Sequence, residues 1–594
     1  PFYAHHPGRF VYIRDDQSGG IFSAPYEPVR RKPDSFCFSA GSADISWLVS
    51  SLGIEVSLKV SLPCDDPVEL WSLEVRNTGD KTRKLSVFPF FTIGYMSWMN
   101  QSAAYRADLG GIVASSVTPY QKLEDYERIK GLKDHTILLH DQPPESWEAR
   151  LAAFEGEGGL HSPGALQKEL LSNSEAVYET PTAVLQYRAE LAPGDSRRYR
   201  FLFGPAHNEE EMLSLRETYL GKDGFEGAKS QYQEYLDRGK GCFSIETPDP
   251  ALNLFTNHWL NRQVWYHGSS NRLSTDPQTR NYLQDAMGMV YIEPRAAREA
   301  ILTALGQQQK DGALPDGILL TDEAELKYIN QVPHTDHCVW LPVCLQAYLD
   351  ETGDYALLDE VVPMRKGRSR ATVFERTTAA LYSLAGNRDY RGLSLIAQGD
   401  WCDPMNMVGP QGKGVSGWLS IATVYALDLW AGICRHLGKD QQADLLEHYS
   451  RESREAVQEH LWAGDRYARG ITDEGRVFGT AEDDEGSIYL NPQSWALMAG
   501  IADDEQSAAL LASVMRELET PFGPQMLAPA YTRMHEDIGR LTQKFPGSAE
   551  NGSVYNHAAA FYILALYRAG KADHAWEMLC RVLPGPDQED LLRR

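Results

Sequence analysis

Residues 45–63 read ISWLVSSLGIEVSLKVSLP. Apolar and polar side chains alternate along most of this stretch. In an extended chain successive side chains point to opposite faces, so the pattern describes strands with one buried face. The same period of two recurs in VELWSLEVRNTG (68–79), KLSVFPFFTIGY (84–95) and SRRYRFLFGPA (196–206). RNTGDKTRKL (76–85) is a hairpin-type connection. Many such strands with no helix of note imply an antiparallel β-sandwich over residues 1–205.

The period changes at about residue 208. NEEEMLSLRETYL (208–220) and FEGAKSQYQEYLDRG (225–239) have apolar residues three and four apart, which marks helices. They suggest a helical linker over 206–245. From 246 to 594 the chain is helical throughout, with segments such as VSGWLSIATVYALDLWAGICRHLG (415–438) and YNHAAAFYILALYRAG (555–570) joined by short loops. Ten to eleven helices in pairs suggest an α/α toroid, although helix count alone also fits a solenoid. The fold class is therefore multidomain β + α, with a sandwich, a linker and an α/α catalytic domain. The chain starts without Met and falls slightly short of six helix pairs, so we read it as a fragment truncated at its C-terminus.

With 594 residues, more than one domain is expected. Lys+Arg number 57 and Asp+Glu 82, for a net charge of −25. Such a surface repels nucleic acid and anionic membranes. No run of about 18 apolar residues is present, so no membrane span is expected. Cysteines 37, 64, 242, 338, 344, 402, 434 and 580 are scattered without a CxxC pair, as in reduced thiols of a cytoplasmic protein.

The loops between the helices are rich in Trp, Tyr, Asp, Asn and Gln, the mixture that stacks on sugar rings and grips hydroxyls. One of them, IAQGDWCDPMNMVG (396–409), holds two carboxylates around a Trp and a Cys. A calcium loop needs more alternating oxygens than two aspartates three apart. A structural turn is compatible with Pro404. A catalytic reading makes one carboxylate an acid, with its pKa raised by burial or by a neighbouring charge. Asp400 could be that like charge and Trp401 an apolar wall. Cys402 has no His partner in sequence and is not taken as a nucleophile.

A sandwich, a helical linker, an α/α barrel and a GDW-x-D loop together resemble the inverting disaccharide phosphorylases of glycoside hydrolase family 94. The resemblance runs from FVYIRDD to FYILALYRAG and includes HTDHCVWLPVCLQAYLDETGDYALLDEVVP (334–363) and ENGSVYNHAAAF (550–561). It implies an (α/α)6 barrel, with Asp403 as general acid, Asp400 and Trp401 at the donor sugar, and His557 at phosphate. The family's donor motif R-D-x-x-Q-D stands here as RNYLQD, with Arg280 and Asp285 in place and Asn281 replacing an aspartate. The family's second phosphate contact, a Thr-Gly pair, lies further toward the C-terminus and is not placed here.

DIGRLTQKFPG (537–547) sets Arg540 and Lys544 four residues apart, on one face if the segment is helical. In an acidic chain, paired cations in such a loop call for an anion, either phosphate or a sugar-acid carboxylate. A solvated basic turn is the plainer alternative. The placement resembles the cellobionic acid phosphorylases within the family, and implies gluconate as acceptor. Glu550 is counted with these acceptor-binding residues. So is Gln121, in TPYQKLEDYERIK (118–130), the loop that a partner copy would contribute in a homodimer. The implied reaction is phosphorolysis of cellobionic acid, with inorganic phosphate as co-substrate and with no metal or organic cofactor.

The rivals are a family phosphorylase with a neutral acceptor, an inverting hydrolase and a glycan-binding protein. The hydrolase needs a second carboxylate about 6.5–9.5 Å from the acid, for which Glu485 and Glu550 are the candidates. His334 and His337 resemble a metal pair without an evident third ligand, and we read them as loop or packing residues. Trp259, Trp340 and Trp495 are read as core.

Overall fold

The structure is a computed structural model. It describes residues 8–584 except 42, 94–100, 117–121, 131–134, 222, 242, 328–331, 333 and 366–369. The chain divides into two compact units, residues 1–238 and 239–594.

The first unit contains fourteen strands among its described residues. They are β1 (Phe10–Asp15), β2 (Ile21–Ala24), β3 (Ser35–Ala40), β4 (Asp44–Ser51), β5 (Ile54–Ser61), β6 (Glu69–Asn77), β7 (Arg83–Thr92), β8 (Ser102–Arg106), β9 (Gly111–Ser115), β10 (His135–His140), β11 (Ser146–Arg150), β12 (Ala176–Val177), β13 (Pro181–Leu191) and β14 (Ser196–Ala206). They form a five-stranded sheet, β11-β13-β7-β1-β2, and a nine-stranded sheet, β12-β8-β9-β10-β14-β6-β5-β4-β3. The 45–63 stretch becomes β4 and β5, which pair antiparallel with Val49 opposite Val56 and Trp47 opposite Leu58. Val56, Leu58, Trp71, Leu73, Val87, Leu185 and Phe201 share one buried core, as the alternation requires.

The helices Glu209–Leu220 and Gly224–Arg238 belong to this first unit. Met212, Leu215, Tyr219 and Phe225 pack with Leu70, Leu139 and Leu202 of the nine-stranded sheet. Residues 206–238 therefore cover the sandwich, because their apolar stripe needs a partner.

The second unit alternates helices between two layers. Thr279–Met289, His337–Thr352, Gly417–His436, Leu490–Met498 and Asn556–Arg568 touch one another in succession. Each is backed by the helix that follows it: Pro294–Leu305, Val373–Gly386, Asp440–Leu461, Asp504–Glu517 and Ala572–Val582. The inner helices are buried nearly all round, whereas outer ones such as Asp440–Leu461 bury only one stripe. Gly417–His436 is long and apolar enough to cross a membrane by length and composition, beyond what the sequence reading allowed for. Most of it is buried within the protein, and it forms part of the barrel core.

Trp340 and Trp495 are core residues, each 1% exposed and packed edge-on at 5.6 Å. Trp259 is not: it is 55% exposed, on the one-turn π-helical segment Phe255–Leu260. The wider turn of that segment breaks the helical spacing on which the core expectation rested.

Candidate active site

The chemistry-bearing residues gather where the inner helices begin. Arg280 is in the first turn of Thr279–Met289, Asp336 precedes His337–Thr352, Ser416 caps Gly417–His436, and His557 is in the first turn of Asn556–Arg568. Helix N-termini present free N–H groups and a positive dipole end, so this is the side of the barrel suited to anions.

Asp403 stands at the centre with a partly exposed side chain. Its Oδ1 accepts from Arg280 Nη2 at 2.6 Å and from Gln278 Nε2 at 3.3 Å, and lies 3.4 Å from His334 Nε2. Its Oδ2 has no hydrogen bond or ion pair among the described residues. Arg280 is 4% exposed and also bonds both oxygens of Asp336, at 3.0 and 2.9 Å. Asp336 in turn accepts from Trp340 Nε1 at 2.9 Å. Burial would push the Asp336 carboxyl up, but Arg280 outweighs burial and holds it below its ordinary value.

Asp400 differs from its sequence reading. It is fully buried, and both its oxygens lie 2.7 Å from Arg469 Nη2. Ser416 Oγ and the Cys402 N–H also donate to it. Its charge is thus neutralised from below, and it is neither a like charge beside Asp403 nor open to a sugar hydroxyl. It anchors the acid loop instead, and the buried Asp400–Arg469 pair fixes the backbone between the two aspartates. Burial also raises the Cys402 thiol well above its usual value, so this cysteine is inert.

Trp401, 7% exposed, points the other way along the loop and donates from Nε1 to His557 Nδ1 at 2.9 Å. Indole N–H can only donate, so Nδ1 must be bare and the His557 proton sits on Nε2. Burial against Trp401, Trp340 and Phe561, with Arg280 and Arg272 nearby, lowers the His557 pKa to about 4. His557 is therefore a neutral donor at neutral pH. Its helix has no side-chain cap, which leaves first-turn N–H groups for a ligand.

Of the donor motif, Arg280 is at the centre. Asn281 Nδ2 donates to Gln278 Oε1 at 3.2 Å, and Asp285 forms a two-pronged pair with Arg272 at 2.7 Å. Arg540 and Lys544 do not share a helical face. Arg540 opens a short 3-10 turn, Arg540–Gln543, and Lys544 leaves it in extended conformation. Lys544 is ion-paired with Glu550, while Arg540 is exposed with no side-chain partner among the described residues. The turn is fastened to the acid loop: Leu541 N–H donates to Pro404 O at 2.9 Å and Arg540 N–H to Asn406 Oδ1 at 3.1 Å. Gly539 permits this approach. Its φ is +103°, and a Cβ there would lie 2.5 Å from Asn406 Oδ1. Gln121 lies outside the described residues.

Glu485 is held by Thr532 and by His535 Nε2 at 3.0 Å, and these bonds outweigh burial to keep its carboxyl below the ordinary value. It is a fixed, satisfied carboxylate, as is Glu550 with Lys544. Asp316 supplies the third group that the sequence did not reveal beside His334 and His337. The three donor atoms lie within 4.8 Å of one another. Asp316 Oδ1 already accepts from the His334 backbone N–H at 2.9 Å, faces His337 Nε2 at 2.8 Å and lies 3.3 Å from His334 Nδ1. Hydrogen bonding accounts for the cluster. Gln278, Asp316, Asp336 and Arg469 were all missed as site residues, although Gln278, Asp316 and Asp336 lie in the polar loops between the helices.

Residues 235–592 match the family model described as glycosyl hydrolase 94 superfamily, catalytic domain, and residues 3–222 match glycosyl hydrolase 94, supersandwich domain. A cellobionic acid phosphorylase of Neurospora crassa is 57% identical over 590 residues, covering 99% of this chain and 74% of that protein. A 3-O-beta-D-glucopyranosyl-beta-D-glucuronide phosphorylase of Paenibacillus borealis is 34% identical over 586 residues, covering 98% and 75%. Among solved structures, a bacterial glucoamylase complexed with acarbose matches with a TM-score of 0.56 at 10% identity, covering 97% of this chain and 82% of that one. The last likeness is one of fold: a β-domain followed by an (α/α)6 barrel.

Proposed function

The chain belongs to glycosyl hydrolase family 94, and from that premise we propose that it is an inverting phosphorylase acting on cellobionic acid, the β-1,4-linked glucosyl-gluconate. Asp403 protonates the glycosidic oxygen through its free Oδ2. Phosphate, bonded by the Nε2–H of His557 at the uncapped helix start, attacks the anomeric carbon from the opposite face. The products are α-glucose 1-phosphate and gluconate. Phosphate is itself an anionic nucleophile, so the reaction needs no second carboxylate as base. It is the only co-substrate this reading requires.

One observation carries the reading. A single loop, Asp400 to Asp403, holds the acid at one end through Arg280 and sets the His557 tautomer through Trp401. The buried Asp400–Arg469 pair locks the spacing between them. Such rigidity keeps acid and nucleophile in fixed register, the main requirement for lowering a displacement barrier.

The sugar-acid acceptor rests on Arg540 and Lys544, which the turn at 539–544 brings beside the acid loop. The similarity to relatives named for cellobionic acid and for a glucuronide supports an anionic acceptor. A homodimer, in which residues 118–130 of one copy complete the acceptor site of the other, and a cytoplasmic setting belong to the same proposal. The seven described cysteines are all free thiols, in keeping with a reducing compartment. The test is phosphate release from α-glucose 1-phosphate with gluconate, glucose, glucuronate or N-acetylglucosamine as acceptor. Release with gluconate and little with glucose supports the assignment. Release with glucose alone keeps the phosphorylase and removes the sugar acid.

A further inference from the structure

We propose that His334, backed by Asp316, is a positioning residue that acts as an imidazolium to pin Oδ1 of Asp403, so that Oδ2 alone carries the acid proton. The inference rests on Asp403 being the general acid.

The geometry is one-sided. Arg280, Gln278 and His334 all approach Oδ1, and no hydrogen bond or ion pair among the described residues reaches Oδ2. A carboxyl group whose one oxygen is saturated with donors carries its proton on the other. Arg280 is divided between Asp403 and Asp336, and Gln278 gives Asp403 a neutral amide N–H while its Oε1 accepts from Arg280 and Asn281. Of the three contacts, His334 is the one whose charge can change with protonation.

The His334 ring sits between two carboxylates. Nε2 lies at an ion-pair distance of 3.4 Å from Asp403 Oδ1 and Nδ1 at 3.3 Å from Asp316 Oδ1, and the buried Nδ1 has no hydrogen bond of its own. The neutral ring can protonate only one nitrogen and would turn a lone pair toward the other carboxylate. Only the imidazolium suits both. The charged groups around it are Asp316 from the 312–320 segment, Asp403 from the acid loop, Asp336 and His337 at the start of His337–Thr352, and Arg280. Burial and Arg280 act against the cation. Asp316, Asp336 and, while it is ionised, Asp403 outweigh them, and the His334 pKa rises above its ordinary value.

The ring cannot swing away. Its side chain is 2% exposed and it packs edge-on against His337 with centroids 6.1 Å apart. Gly399, which opens the GDW-x-D loop, lies directly under it: a Cβ there would stand 2.7 Å from His334 Cδ2. Thr335 N–H donates to Gly399 O at 3.2 Å, which ties the histidine segment to the acid loop. The glycine of the motif thus makes room for the histidine.

The experiment compares His334→Gln, His334→Ala, Asp316→Asn and Asp403→Asn with the parent protein. Each is assayed in the phosphorolytic direction for kcat, KM and the alkaline limb of the pH profile, with melting curves as a fold check. His334→Ala should lose about 10- to 100-fold in kcat with the phosphate KM changed less than threefold. His334→Gln keeps a donor that does not titrate. It should recover part of that loss and move the alkaline limb to higher pH. Asp316→Asn removes one of the carboxylates that hold the proton on His334, and should move the limb to lower pH by about one unit. Opposite shifts in two folded variants are beyond a merely structural role. An unmoved limb in both, or equal kcat for Gln and Ala, overturns the inference. If Asp403→Asn keeps its activity the acid assignment itself fails. If Asp403→Asn is dead while His334→Ala is fully active, only this inference fails.

Discussion

Replacing Trp401 with Phe isolates one hydrogen bond. The indole N–H to His557 Nδ1, 2.9 Å long, is the contact that forces the imidazole proton onto Nε2. Phenylalanine keeps an apolar wall but leaves a buried acceptor without its donor, a loss of about 1–3 kcal/mol. The freed ring can then move its proton to Nδ1 and turn a lone pair toward phosphate oxygen. At 1.4 kcal/mol per tenfold, kcat/KM for phosphate should fall about 5- to 150-fold. The assay is initial-rate phosphorolysis with phosphate varied at fixed sugar, then the reverse. The change should fall on the phosphate KM, with the sugar KM moving much less. An unchanged phosphate KM, with the sugar KM raised, would refute the tautomer argument and make Trp401 a sugar platform only.

Removing Arg469 leaves Asp400 buried without its counter-charge, which costs about 3–5 kcal/mol, so Arg469→Met should melt several degrees lower and lose activity. The double variant with Asp400→Asn should regain part of that stability, since no orphan charge remains; calorimetry on both checks it. His557 has a folded-state pKa of about 4 against an ordinary 6.5. Between those values the unfolded chain binds a proton and the folded one does not. Stability from this group is therefore fully present above about pH 6.5 and is lost as pH falls toward 4. In a His557→Gln variant that part of the acid-side slope of the melting temperature should disappear. Arg540→Ala and Lys544→Ala should each cut use of gluconate at least tenfold and leave use of glucose unchanged, read from initial rates with both acceptors.

The sandwich was legible because period-two alternation is a local property: Val56, Leu58 and Val60 reach the core along one face of a single strand. The barrel was legible for the same reason, since an inner helix such as Gly417–His436 is apolar on every side. The loop itself marked out a candidate acid between Asp400 and Pro404, but the assignments of Asp403 and His557 rest on resemblance, because a local pattern does not fix either role. Their supports are harder still. Arg469 meets Asp400 from 69 positions away and Asp336 meets Arg280 from 56, and long-range ion pairs have no sequence period. Asp400 was misjudged for this reason: without Arg469 in view, a carboxylate beside an acid looks like a charge that tunes it. The shared face of Arg540 and Lys544 failed on local geometry, since the segment forms a 3-10 turn that ends before Lys544.

The central claim is that phosphate, and not water, takes the glucosyl group, with inversion. Cellobionic acid incubated with the protein in phosphate buffer, and followed by phosphorus and proton NMR, tests it directly. The account predicts one α-glucose 1-phosphate formed for each gluconate released, with no reaction once phosphate is withdrawn. Free glucose formed at the same rate with or without phosphate would contradict it.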